Sequence, residues 1–298
     1  MSLPNRTLLT EHTVGDLSQP VRLQDHDPFP VQLPSRASLR KAIKRGDVYV
    51  NEAVGKTGTF LQPGDVLRLY EPSGKLPKAL PLELPTHYRD DHLWIIEKPP
   101  GLPVSGNTYR TVQNALMYQY QPPAVPGALR VPRPQHRLDA DTRGLLIVAR
   151  TALAQQRVGQ AFQEGKIKKT YHAVAHGACP VAMDIRLPLE GRAARTEVAR
   201  LQTAPSKLYG AVSLLKIRLH TGRTHQIRKH HAALGHPLLG DRLYAPAAGT
   251  ARGKGLHLAA TRLVFVHPVS GEALDIALPV PERFLKRMER EQMRAESA

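Results

Sequence analysis

Between His136 and Arg150 the chain reads HRLDADTRGLLIVAR, and the second half of this stretch leaves little choice of fold. Residues 145–149 are apolar without a break, so they lack a polar face and are expected to form an interior strand covered on both sides. Asp139 stands just ahead of that run, and a side chain at the mouth of an interior strand sits on a rigid support. Arg137 before it and Arg143 after it supply positive charge, which suits a charged carboxylate rather than a proton donor and attracts a polyanion. Such a carboxylate can serve as a nucleophile or a general base. The same residues also fit a plainer role, because Arg-x-Asp pairs at strand ends commonly make structural ion pairs or turns.

The rest of the chain narrows the function before any motif is matched. Its 298 residues suffice for a large domain, a smaller one and a real core. Lys and Arg number 42 against 25 acids, a net charge of +17 with a pI near 10.2. That excess is expected of a protein that holds phosphate backbones. A membrane surface would draw the same charge, but no run of roughly 18 apolar residues occurs and no basic amphipathic helix dominates. Nucleic acid is therefore the expected partner and a membrane is not. A single cysteine, Cys179, excludes an internal disulfide and a thiolate-rich metal site. The opening MSLPNRTLLTEH lacks the features of a signal peptide, so a cytoplasmic monomer is expected.

Residues 1–33 carry scattered prolines and no sustained periodicity, which predicts an extended, partly ordered arm. Ser35 is placed to cap a helix with Leu39 and Ile43 on one face and Gly46 at its end. The other face carries Arg36, Arg40, Lys41, Lys44 and Arg45, followed by an alternating strand at Val48 and Val50. Such a charge run is either an ordinary solvated face or an RNA-binding one. Four prolines and a Ser-Gly within 71–87 place an interdomain linker at 73–87. Beyond it come an apolar strand at 93–96, a turn at 99–101, and helical faces at Val112, Leu116 and Tyr120 and at Ala154, Val158 and Phe162. The strand KKTYHAVAHG contains Tyr171.

Residues 219–244, LHTGRTHQIRKHHAALGHPLLGDRLY, predict a Gly222-Arg223 turn and a helix capped by Thr224. Ile227, His231 and Leu234 share one face of that helix, Arg228 lies off it, and Gly235 ends it. His225, His230, His231 and His236 do not fall in a His-x-x-x-His spacing and have no Cys or Glu beside them, so no metal is expected. Two strands, 263–266 and 273–277, form a closing hairpin, and the charged tail, 286–298, is expected to be a short helix or a frayed end.

HRLDADTRG resembles the His-Arg-Leu-Asp-x-x-Thr-Ser-Gly signature of the RluA-type pseudouridine synthases, with Arg143 where that family usually has Ser. Lys98, Pro99, Pro100 and Gly101 resemble its Lys-Pro-x-Gly turn. Lys169, Tyr171 and Ala173 resemble its Lys-x-Tyr-x-Ala-x-Val strand, with Ala175 replacing the Val. GRTHQIR and GHPLLGD resemble its Gly-Arg-x-His-Gln-Ile-Arg helix and the Gly-His-Pro-x-x-Gly-Asp that follows.

The resemblance implies an α+β catalytic domain over 88–285, with a mixed, mainly antiparallel central sheet and flanking helices. It implies an isomerase that detaches uracil from its ribose, turns it over and rejoins it through carbon, with no cofactor and no metal. Asp139 would be its catalytic carboxylate, Arg228 the partner of that carboxylate, and Tyr171 a residue of the pocket. His136, Arg137, Arg223 and His225, in the same motifs, are expected to contact the substrate. Residues 34–72 resemble the S-four RNA-binding domain, a small α/β unit whose five helix cations would contact RNA. Ribosomal RNA is the first expectation and transfer RNA the second. Two other readings fit parts of the pattern: an RNA hydrolase with magnesium on Asp139, Asp141 and His136, and a non-catalytic RNA-binding factor in ribosome assembly.

Overall fold

A computed structural model describes residues 6–33, 35–72, 74, 76–245 and 255–297. The N-terminal unit contains β1 (Leu8–Thr13), β2 (Val21–Arg22), α1 (Arg36–Lys44), β3 (Val48–Val50), β4 (Ala53–Val54), β5 (Phe60–Leu61) and β6 (Val66–Tyr70). The expectation of a loose arm is corrected here. β1 pairs antiparallel with β6 at the edge of a four-stranded sheet, and Leu9, Val14, Leu23 and Phe29 are buried. The prolines at 20, 28 and 30 separate these anchors, which hides their common burial from any periodicity. α1 starts as expected: the Ser35 hydroxyl accepts the Ser38 N–H while the Ser38 side chain takes the Ser35 N–H, a reciprocal cap. Leu39, Ala42 and Ile43 face inward, and Arg36, Arg40, Lys41 and Lys44 are exposed. Arg45 is exposed too, but its Nε donates to the buried Asp47 carboxylate at 2.6 Å, so one face of its charge is already occupied.

The second part contains β7 (Thr86–Arg89), β8 (Leu93–Lys98), α2 (Val112–Gln119), β9 (Ala128–Pro134), β10 (Arg143–Thr151), α3 (Ala152–Gln163), β11 (Lys168–His176) and β12 (Ala182–Ile185). After these come β13 (Thr196–Ser206), β14 (Gly210–Leu219), α4 (Gln226–Ala233), β15 (Leu258–Val266), β16 (Ala273–Ala277) and α5 (Glu282–Glu296). Ten of the strands form one sheet in the order β12-β13-β14-β11-β15-β10-β8-β7, with β16 beside β15 and β9 beside β10. All pairings are antiparallel except β10 with β15. β10 is the interior strand its apolar run required, buried from Gly144 to Thr151. At Gly144 the backbone has φ +125 and a Cβ would collide with the carbonyl oxygen of Ala260, so the parallel pair closes only around a residue without a side chain. Arg143 pairs with Glu97, whose neighbour in the ladder is Leu145. The arginine that replaces the family's serine therefore fastens β10 to β8.

The apolar core does not stop at the proline-rich stretch. Leu80 and Leu84, within it, are buried in the cluster that also holds Trp94, Leu146 and Tyr171, and β7 already begins at Thr86. A second cluster joins Leu9, Leu23, Phe29 and Leu39 of the N-terminal unit to Ile95, Leu145 and Ile147 of the large sheet and Val158 of α3. Buried Glu71 adds a polar tie, accepting the backbone N–H groups of Arg130 and Val131 along β9. The C-terminal tail is corrected as well. α5 docks on β13 and β14 through buried Phe284 and Met288, with Arg287 and Glu291 forming a buried pair at 2.7 Å.

Candidate active site

The turn that carries Asp139 is bolted to the turn that follows β8. Lys98 is fully buried, and its ammonium donates to the carbonyl oxygens of Pro99, Leu102 and Ala140 at 2.8, 2.7 and 2.7 Å, one acceptor for each proton. The Gly101 N–H donates to the same Ala140 carbonyl, and the Thr142 N–H closes the turn on the Asp139 carbonyl at 3.0 Å. Burial pulls the Lys98 pKa down to about 8, against the charges of Asp141 and Asp139. His136 holds the other end: its Nε2 accepts the Ile147 N–H at 3.1 Å, which assigns the proton to Nδ1. Burial, then the charge of Lys169, lowers its pKa to about 3, so the ring is neutral. His136 thus anchors the turn to β10 while still lining the cavity in front of Asp139.

That cavity, about 400 Å³, brings together the residues expected from three motifs: His136, Arg137, Asp139, Tyr171, Arg223, His225 and Arg228. The cations of α1 are not among its lining residues. Tyr171 comes from β11, buried among Ala173, Ile217 and Leu258. Burial, then the negative charge of Asp139, pushes its phenol well above the ordinary value, so it remains protonated. The sheet contributes the floor of the cavity and α4 one wall.

The start of α4 differs from expectation. Thr224 is not the cap; His225 is the boundary residue, at φ +55 and without a side-chain cap. Gln226 organises the loop instead. Its Oε1 accepts from the Thr221 hydroxyl and the Arg223 N–H, and its Nε2 donates to the Arg195 carbonyl and the Thr196 hydroxyl. The left-handed turn at His225, worth about 1–3 kcal/mol of strain for a non-glycine residue, aims the imidazole at the site. Its Nδ1 lies 2.9 Å from the Tyr244 hydroxyl and its Nε2 3.7 Å from Asp139 Oδ1. Leu234, expected on the inner face, is 41% exposed because the helix has ended before it. The remaining histidines of the segment spend ring nitrogens on structure: His230 both of them, on Thr196 and Leu187, His231 one on Ile227 and His236 one on His176.

Arg228 does not give its planar fork to Asp139. Nε and Nη2 each lie 2.7 Å from the two carboxylate oxygens of Asp241, and only Nη1 reaches towards Asp139, 3.4 Å from Oδ2. Both members of the fork are buried, and Asp241 Oδ1 also accepts the N–H groups of Leu243 and Tyr244. Burial opposes charge on both, but their mutual bonds outweigh it, raising the Arg228 pKa and holding the Asp241 carboxyl below its usual value. The Tyr244 ring stacks under the guanidinium at 5.1 Å. Asp241 and Tyr244 carried no role in the sequence reading. Asp241 was visible only as the last residue of GHPLLGD, with nothing to mark it as the partner of Arg228.

Residues 92–233 match the family model for RNA pseudouridylate synthase. Matched segment, sheet and cavity together define an enzyme that isomerises a base within RNA. An RNA pseudouridine synthase of Aquifex aeolicus is 34% identical over 84% of this chain and 87% of its own. The ribosomal large subunit pseudouridine synthase D of Vibrio cholerae is 34% identical over 83% and 84%. Among solved structures, human RNA pseudouridylate synthase domain containing 1 is similar with a TM-score of 0.57 and 25% identity, over 71% of this chain and 86% of that one. The chain belongs to the RNA pseudouridylate synthase family and is of the RluA type. It is an isomerase whose substrate is RNA.

Proposed function

We propose that the protein isomerises uridines of large-subunit ribosomal RNA and that Asp139 is its catalytic carboxylate. The supporting observation is the state of that carboxylate. Its side chain is 17% exposed at the cavity, and among the described residues it has no side-chain ion-pair or hydrogen-bond partner closer than 3.4 Å. Its lone pairs are oriented but not consumed. Arg228, clamped by Asp241, steadies one oxygen from behind, so the carboxylate can attack the ribose or the base, or take a proton from the sugar. Neutral Tyr171 presents a ring for the base to stack on and a hydroxyl that can pass a proton. The uridine reaches this cavity by leaving the RNA stack, at a cost of a few kcal/mol. Arg137, exposed and lining the cavity, is suited to fill the gap or hold a phosphate, and Arg223 and His225 line the same cavity.

The ribosomal target follows the names carried by the relatives, and the exposed cations of α1 suit residues 34–72 of the N-terminal unit to an S-four-like grip on RNA. The enzyme works as a cytoplasmic monomer in this reading. In Asp139→Asn, tritium release from uridine-labelled large-subunit RNA falls at least about a thousandfold, while RNA affinity stays within about threefold. Activity within about tenfold of the parent would sink the role of Asp139. Mapping pseudouridines in total RNA with and without the gene tests the target.

A further inference from the structure

A second cavity, also about 400 Å³, adjoins the first, and Phe162, Lys169, Leu219, Gly222 and Arg223 line both. Its further lining includes Lys168, Arg218 and His220, and no Asp or Glu lines it. The partition between the two cavities centres on Lys169. Lys169 and Tyr171 are two apart on β11 and therefore project from the same face of the sheet. The Lys169 ammonium lies 5.5 Å from the Phe162 ring, close enough to Gly222 that a Cβ there would stand 3.7 Å from it. Among the described residues it has neither a hydrogen bond nor an ion pair. Burial lowers its pKa, and no carboxylate offsets that burial.

The contrast with Lys98 is informative. That buried ammonium is matched by three carbonyl oxygens, as a costly interior charge should be. Lys169 keeps its charge half-buried between two open cavities with its donors unused, which is the condition of a group whose acceptor arrives with a ligand. In a protein whose substrate is RNA, a ligand that occupies both cavities carries an anion at their boundary. We propose that the second cavity receives the nucleotide adjoining the target uridine, and that Lys169 binds the phosphodiester joining the two. This rests on the reading that the Asp139 cavity takes the target uridine.

The trinucleotide UpUpU, with two phosphates flanking its middle uridine, and two analogues each bearing one neutral methylphosphonate linkage are titrated against three full-length proteins: parent, Lys169→Met and Lys169→Arg. Met keeps the aliphatic stem against Phe162, and thermal unfolding checks that each variant folds. The parent is expected to bind one analogue about tenfold more weakly than UpUpU, the loss of one charge-assisted contact. Lys169→Met should bind UpUpU about tenfold more weakly than the parent and be indifferent to that same neutral linkage, while Lys169→Arg restores sensitivity. An equal penalty for the neutral linkage in parent and Lys169→Met would overturn the proposal, as would failure of the parent to bind UpUpU. Pseudouridine formation by Asp139→Asn on ribosomal RNA is measured separately. Retained activity there would count against the role of Asp139 and leave the Lys169 coupling to stand or fall by the titrations.

Discussion

Asp241→Asn exchanges one oxygen for an amide nitrogen where there is room for nothing else. Asn keeps an acceptor for the Leu243 and Tyr244 N–H groups and for one arm of Arg228, but it turns an NH2 donor against the other arm and removes the charge. At about 4 Å and an effective dielectric of about 20, the lost attraction is roughly 4 kcal/mol. Breaking one side of a buried ion pair by substitution costs a similar amount, about 3–5 kcal/mol. The guanidinium then has one carboxylate left within reach, Asp139, and closing the present 3.4 Å gap would occupy oxygens that the proposed role of Asp139 requires. We therefore expect a stability loss of about 3 kcal/mol by urea unfolding, and a fall in kcat of about a hundredfold, or roughly 2.7 kcal/mol. KM should stay within about threefold of the parent, because Asp241 does not line the cavity. The assay is the initial rate of pseudouridine formation, under multiple turnover, over a range of RNA concentrations. A kcat within about twofold of the parent, or a stability loss below about 1 kcal/mol, would refute the view that Asp241 aims Arg228.

Two further outcomes are expected. Lys41 and Lys44 are exposed on α1 without ion-pair partners among the described residues, so replacing both by Ala should weaken RNA binding and flatten the log-log salt dependence by about 1.4 to 1.8 without altering thermal stability; an unchanged slope would show that this face does not meet RNA. Burial lowers the pKa of His136 to about 3 and of His231 and His257 to about 4, all below the ordinary 6.5. The unfolded chain therefore takes up these protons first, and the stability present above pH 6.5 should be lost as pH falls from 6.5 towards 4, by at most about 1.4 kcal/mol per pH unit for each histidine. A urea midpoint that stays flat across that window would show that these rings are not held neutral.

Short-range physics made much of this protein legible in its sequence. An apolar run without a polar face could only be an interior strand, and 143–151 is one. Ser35 as a cap, Leu39 and Ile43 one turn apart and Gly46 as the stop were enough to write α1. The motif residues, nearly contiguous in three segments, named the cavity that now holds them together. Periodicity records that a residue is buried but not what it is buried against, and there the reading ran out. Leu9, Leu23 and Phe29 are separated by prolines and acquire a common role only when β1 pairs with β6 and packs towards α3. The partner of the Arg228 fork depends on how the chain after α4 folds back, and Asp241 reaches it from 13 residues away. Whether a lysine is buried and satisfied, as Lys98 is, or half-buried and left open between two cavities, as Lys169 is, depends on carbonyl groups and voids that exist only once the sheet has closed. Local sequence determined the interior strand, the cap of α1 and the residues gathered at the cavity. The tertiary structure decided their partners, because an ion pair or an empty site is a property of the space between distant segments.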